Sequence, residues 1–63
     1  MKLYEIRSSL TGARDGFVME FEDQVIVKTD IMLGIYRNIN DAENVITANG
    51  NTMNYRLEFD YEN

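Results

Sequence analysis

The chain has 63 residues, and a domain of this size buries only about 60% of the surface that its unfolded chain exposes, so one small compact domain spanning residues 1–63 is expected. The sequence contains no His and no Cys, which excludes disulfides, thiolate metal sites and the commonest general base. Eleven acidic residues against six basic ones give a formal charge of −5, which disfavours direct binding to nucleic acids or anionic membranes and favours a protein partner with a basic surface.

The N-terminal segment predicts a strand followed by a loop. Residues 2–7 are rich in bulky, β-prone side chains and are predicted to form the first strand. Residues 8–16 are rich in Ser, Thr, Asp and Gly and are predicted to form a loop, in which Gly12 and Gly16 suit positive φ angles.

Residues 17–27 predict a β-hairpin, and the length of its turn decides which side chains share a face. The large apolar residues at odd-numbered positions are Phe17, Met19, Phe21, Val25 and Val27. A three-residue loop at 22–24 pairs Phe21 with Val25 and keeps this set together, whereas a two-residue loop pairs Phe21 with Gln24 and splits it. We therefore predict the three-residue loop.

Residues 31–37 fit either a strand or the start of a longer helix. Isoleucines recur at helical spacing from residue 31 onward, which favours a helix. Gly34, the β-branched residues and the Asn and Asp residues that follow all favour extended chain or turns. We predict a turn at 29–30 and then a strand through residue 37.

A short helix is predicted over residues 39–48. Asn38 stands at the N-cap position, where a side-chain oxygen accepts a hydrogen bond from an unpaired first-turn amide. The residues that recur at helical spacing and should face the sheet are Ile39, Ala42, Val45 and Ile46. Gly50 suits the left-handed position that commonly ends a helix.

Residues 53–62 alternate without interruption between large apolar and polar side chains, which is typical of a half-buried strand. The predicted fold is therefore α+β: a small antiparallel-rich sheet of four to five strands, in the order β-β-β-β-α-β, with one short helix packed on one face. Residues 34–58 resemble the strand–helix–strand units of very small bacterial and bacteriophage proteins, a likeness of architecture without a diagnostic motif.

The sequence offers little for catalysis. Ser8 and Ser9 lie in the predicted loop with no base beside them, so turn formation explains them better than nucleophilic chemistry. The oxygen-bearing side chains around the start of the helix do not have the spacing of a calcium loop. We therefore predict that the protein is not an enzyme and has no cofactor and no metal site.

Two surfaces of the predicted sheet could bind a partner. The carboxylates expected on an acidic strand face are Glu20, Glu22, Glu58, Asp60 and Glu62. A row of carboxylates about 7 Å apart would either imitate a nucleic-acid backbone or protect an edge strand by charge. The apolar residues expected on the sheet face without a helix are Val18, Ile26, Met32 and Tyr36. Because a contiguous apolar patch on a small protein marks an interface, this face predicts a homo-oligomer, most simply a homodimer.

The functional hypothesis is a non-enzymatic, acidic protein–protein interaction module that self-associates, for example an inhibitor encoded by a phage or mobile element. The alternative is a nucleic-acid mimic that blocks a DNA- or RNA-binding enzyme through the acidic strand face. No apolar run approaches the ~20 residues of a membrane helix and the first residues do not fit a signal peptide, so a cytoplasmic protein without a membrane partner is expected.

Overall fold

A computed structural model of the chain describes residues 1–30, 32–48 and 55–63. Within these residues the elements along the chain are β1 (Lys2–Ser8), β2 (Arg14–Glu20), β3 (Val25–Thr29), β4 (Leu33–Tyr36), α1 (Ile39–Ala48) and β5 (Tyr55–Glu62). This order confirms the predicted small α+β fold. The described residues include no helix with the length and apolar character needed to cross a membrane.

The strands form one antiparallel sheet in the order β4-β3-β2-β1-β5. The first four strands run as successive hairpins, and the chain then returns through α1 to place β5 at the far edge beside β1. The pairing of β1 with β5 continues to the termini, where the Asn63 N–H donates to the Met1 carbonyl oxygen and the Met1 ammonium group donates to the main-chain oxygen of Asn63, each at 2.9 Å. The two chain ends therefore lie together at one end of the sheet.

Helix α1 packs on one face of the sheet, over β3 and β4. The buried apolar side chains beneath and on the helix are Ile6, Val18, Val25, Val27, Ala42 and Ile46. The sheet contributes mostly β-branched side chains to this core, and such compact groups let the helix approach the strands closely.

The structure confirms the predicted helix and its cap. The Asn38 Oδ1 atom accepts a hydrogen bond from the Asp41 N–H at 2.9 Å, as expected for an N-cap residue. Ala42 and Ile46 are buried and Ile39 packs against the core, which confirms these three residues of the predicted helix face, whereas Val45 is half-buried. The predicted role of Gly50 lies outside the described residues.

The turn between β2 and β3 differs from the prediction. The Phe21 N–H donates to the Gln24 carbonyl oxygen at 2.8 Å, and Glu20 pairs with Val25, so the loop has two residues rather than three. As a result Val18 pairs with Val27 and lies on the helix side of the sheet. The large apolar residues of this hairpin are therefore split between the two faces.

The β3–β4 hairpin also turns through two residues. The Thr29 N–H donates to the Met32 carbonyl oxygen at 2.8 Å, and Val25 pairs with Tyr36. The strand that was predicted here in preference to a helix is confirmed over Leu33–Tyr36, although Ile31 lies outside the described residues.

A bulge interrupts β5. Phe59 pairs with Tyr4, but Tyr61 pairs with Leu3, so Asp60 has no partner residue in β1. The alternation of the sequence therefore does not give one continuous face, because Phe59 lies on the helix side and Tyr61 lies on the opposite side. Residues 53 and 54 of the predicted strand lie outside the described residues.

Candidate protein-interaction surface

The sheet face opposite α1, which we call the open face, carries a continuous row of apolar side chains. Strand pairing places one residue of each strand in this row, in the order Ile35, Ile26, Met19, Leu3 and Tyr61. We call these five residues the apolar ladder. Because neighbouring strands lie about 4.8 Å apart, the ladder is about 19 Å long and crosses the whole sheet.

Further large apolar side chains lie beside the ladder on the same face. Phe17 and Leu33 lie one row to one side, and Phe21 lies on the other side, next to the β2–β3 turn. Leu33 is 70% exposed, Ile35 66% and Tyr61 47%, whereas no residue of the buried core exceeds 7%. Single exposed apolar residues are ordinary on protein surfaces, but a contiguous patch on a small protein is characteristic of a binding surface.

A cluster of charged side chains borders the apolar ladder at the end of the sheet where β1 ends. The Glu5 carboxylate is within 3.0 Å of the Arg7 guanidinium and 3.5 Å of the Arg14 guanidinium. The Arg14 guanidinium also lies 5.0 Å from the centre of the Phe17 ring, in a cation–π arrangement. These contacts fix planar, hydrogen-bonding groups beside the apolar surface.

Most of the basic side chains lie on the open face, although the whole chain has a formal charge of −5. Four of the six basic residues lie on it, namely Arg7, Arg14, Lys28 and Arg56. The acidic residues paired on the same face are Glu5 and Glu58, while Asp15 and Asp60 lie at the register shifts of β2 and β5, next to Arg14 and Tyr61. The open face therefore carries charged groups of both signs beside the apolar ladder.

Most of the apolar residues predicted for this surface lie elsewhere. Ile26 is on the open face, but Val18 is fully buried beneath the helix at 0% exposure. Met32 and Tyr36 pack against the buried core. Val18 was assigned to the wrong face because the β2–β3 turn has two residues rather than the predicted three, and Tyr36 because strand pairing places it opposite Val25 on the helix side.

The predicted acidic row is not formed either. Glu58 lies on the open face beside Arg56, at 3.4 Å, whereas Glu62 pairs with Lys2 on the helix side. The bulge at Asp60 separates the two carboxylates, and Glu22 is exposed in the β2–β3 turn. The prediction that Glu58, Asp60 and Glu62 point in one direction is therefore wrong.

Glu20, the remaining predicted acidic residue, has a structural contact on the helix side. Its carboxylate accepts a hydrogen bond of 2.9 Å from the Tyr4 hydroxyl, and the Tyr4 ring meets Phe59 edge to face at 5.8 Å between centroids. Burial raises the pKa of Tyr4, and the hydrogen bond and the negative charges of Glu20, Glu62 and Glu43 raise it further. The phenol therefore stays protonated and keeps donating to Glu20.

A cleft of about 300 Å³ lies between α1 and β5. Its lining residues are Glu43, Ile46, Tyr55, Arg56 and Leu57. It combines acidic, basic, aromatic and aliphatic side chains, and it shares Arg56 with the open face.

Sequence reasoning missed four of the five ladder residues. The available signal was that Phe17, Val18 and Met19 are consecutive, so β2 has large apolar side chains on both of its faces. A strand of this kind is covered on both faces or has one apolar face left for a partner. The compact Val18 suits the side under the helix, and the larger Phe17 and Met19 suit the open face.

No protein-family model, curated protein or solved structure matches this chain. The function must therefore be proposed from the geometry and charge of the chain itself.

Proposed function

We propose that this chain is a non-enzymatic protein-interaction module that binds a protein through its open face. The single observation that carries the proposal is the apolar ladder, which crosses all five strands on the face opposite the helix. In a monomer this row contacts water, and its burial against a partner would be favourable by about 25 cal/mol per Å² of apolar surface before the costs of association.

The chemistry around the ladder suits a protein partner. Arg14 and Arg56 place planar guanidinium groups on one side of the apolar row, and arginine is among the residues that most often dominate binding energy at interfaces. Tyr61 and Phe21 add aromatic surface that loses little conformational entropy on binding. An apolar centre with a polar, charged rim is the usual anatomy of an interface.

Inhibition of a host protein by a phage or mobile element, in the cytoplasm, is one biological form that such binding would take. The nucleic-acid mimic receives no support from the geometry, because Glu58 and Glu62 lie on opposite faces of the sheet. The open face also carries the basic side chains of Arg7, Lys28 and Arg56, which do not suit imitation of a phosphate backbone.

Site-specific photo-crosslinking in the native cells would test the proposal. A benzophenone amino acid would replace Ile35 in the apolar ladder, and in a matched control it would replace Leu10, which is 76% exposed in the β1–β2 loop. We expect a crosslinked protein product from position 35 and none from position 10. Crosslinks from position 10 alone, or from neither position, would contradict binding through the open face.

A second variant guards against incidental crosslinking. Met19→Glu places a charge in the middle of the ladder and should abolish the product formed from position 35. An unchanged product in the Met19→Glu background would show that the ladder does not contribute to binding.

A further inference from the structure

We propose that the partner on the open face is a second copy of this chain, related to the first by a two-fold axis that runs along the apolar ladder. This inference rests on the proposed function, because it uses the same surface. It adds the identity of the partner and the geometry of the complex.

The size of the open face is sufficient for a dimer. A standard protein interface buries about 800 Å² on each partner, which is under one fifth of the 4351 Å² that this chain exposes. The molecule measures 30 × 22 × 18 Å, so its largest face is of the required order. A chain of this length has a small core and no disulfides, and association is one of the ways in which such domains gain stability.

A two-fold rotation about the ladder brings like surfaces together. It places every residue of the row over the same strand of the other copy, so apolar groups meet apolar groups along the whole 19 Å of the ladder (about four strand spacings). The rows beside the ladder exchange places, because the strands of the two sheets then run in opposite directions. Phe21 of one copy therefore faces Phe17 of the other, which allows an aromatic contact.

The same rotation joins opposite charges. Lys28 lies two residues from the ladder residue Ile26, on the side of Phe17. The exposed carboxylates of Glu22 and Asp23 lie on the other side, in the β2–β3 turn. The rotation brings the turn of each copy towards Lys28 of the other, and symmetry makes this contact twice.

The alternative two-fold axis, parallel to the strands, would place Lys28 over Glu5, but this carboxylate already contacts Arg7 and Arg14 within its own chain. The same axis would place β4 of one copy over β5 of the other. Leu33 would then face Glu58, because both lie in the row next to the ladder. Covering a carboxylate with an aliphatic side chain carries a desolvation cost without a compensating hydrogen bond.

Sedimentation equilibrium of the purified full chain would test the identity of the partner. We expect a mass of twice 7.3 kDa at micromolar concentration. Ile35→Glu should give a monomer with an unchanged circular dichroism spectrum, since the side chain is 66% exposed in the protomer, and Leu10→Glu should remain a dimer. A wild-type chain that stays monomeric would overturn the second-copy inference but not the proposed function, which the crosslinking experiment tests separately. A dimer unaffected by Ile35→Glu and Met19→Glu would overturn association through the ladder.

Charge reversal would test the direction of the axis. Glu22→Lys and Lys28→Glu should each raise the dissociation constant of the dimer about fivefold at low salt, as expected for exposed charge pairs. The two changes combined in one chain restore opposite charges across the axis, so the dissociation constant should return towards the wild-type value. A double variant that associates more weakly than either single variant would overturn the proposed axis.

Discussion

Shortening Val18 to Ala tests the face assignment of β2, on which the whole open face depends. Val18 is 0% exposed and pairs with Val27 beneath the helix. The variant loses two buried methyl groups, or about 1.6 kcal/mol at about 0.8 kcal/mol per carbon, and the cavity left behind adds up to about 1 kcal/mol. We expect the free energy of unfolding to fall by about 2–3 kcal/mol, a large share of the ~3–5 kcal/mol typical of a core of this size.

Urea denaturation followed by far-ultraviolet circular dichroism would measure this loss. Wild type and variant must be compared at the same protein concentration, since association also stabilises the folded state. Thermal unfolding should show the same effect as a fall in Tm of roughly 10–20 °C. Leu10→Ala, at an exposed loop position, is the control and should change stability by less than about 0.5 kcal/mol. A similarly small effect for Val18→Ala would place this side chain in solvent and refute the two-residue turn.

Three further variants probe the contacts that hold the sheet and the helix together. Burial and the hydrogen bond to Glu20 raise the pKa of Tyr4, so the phenol stabilises the fold fully below about pH 10, and this stability is lost as the pH rises through the higher pKa of the folded state. Tyr4→Phe should therefore flatten the fall in unfolding free energy that urea titration measures above pH 10. An unchanged slope would contradict this role of Tyr4. Gly16→Ala should cost about 1–3 kcal/mol in the same assay, because the added methyl group would overlap the main-chain carbonyl of Lys28, and a neutral result would refute the close approach of β2 and β3. Asn38→Ala should cost about 1 kcal/mol and lower the helical circular dichroism signal, whereas Asn38→Asp should keep the cap; equal stability of all three proteins would show that the cap contributes nothing.

The helix was the most predictable part of the fold, because its signals are local. The cap at Asn38, the periodic apolar residues and the absence of Gly and Pro from residues 39–48 all indicate the same element. The succession of elements along the chain, with four to five strands, was likewise visible from alternation and turn residues. Both features depend on interactions between residues that are close in the sequence.

The faces of the strands could not be predicted in the same way, because they depend on turn lengths. One residue fewer in the β2–β3 turn moves Val18 into the core and Met19 out of it. The reasoning assumed that all large apolar residues share one face, which fails when both faces of a sheet are apolar. The correct idea of an apolar face without a helix was therefore attached to the wrong residues, apart from Ile26.

The acidic face failed for a different reason. The alternation of residues 53–62 is regular in the sequence, and nothing in it marks Asp60 as the position of a bulge. The bulge is defined by pairing with β1, which is distant in the sequence, and it turns Tyr61 towards the open face. This residue completes the apolar ladder at the edge of the sheet, and the same bulge separates Glu58 from Glu62.

The most direct test of the open face as the surface that joins two copies of the chain is an isotope-filtered nuclear Overhauser experiment on a mixture of ¹³C-labelled and unlabelled chains. It detects only contacts between different molecules. We predict intermolecular contacts from the methyl groups of Ile26, Ile35 and Met19, and none from those of Val18 or Val27, which are buried within each protomer. Intermolecular contacts from the helix residue Ile39 without any from the ladder would contradict the assignment of the open face.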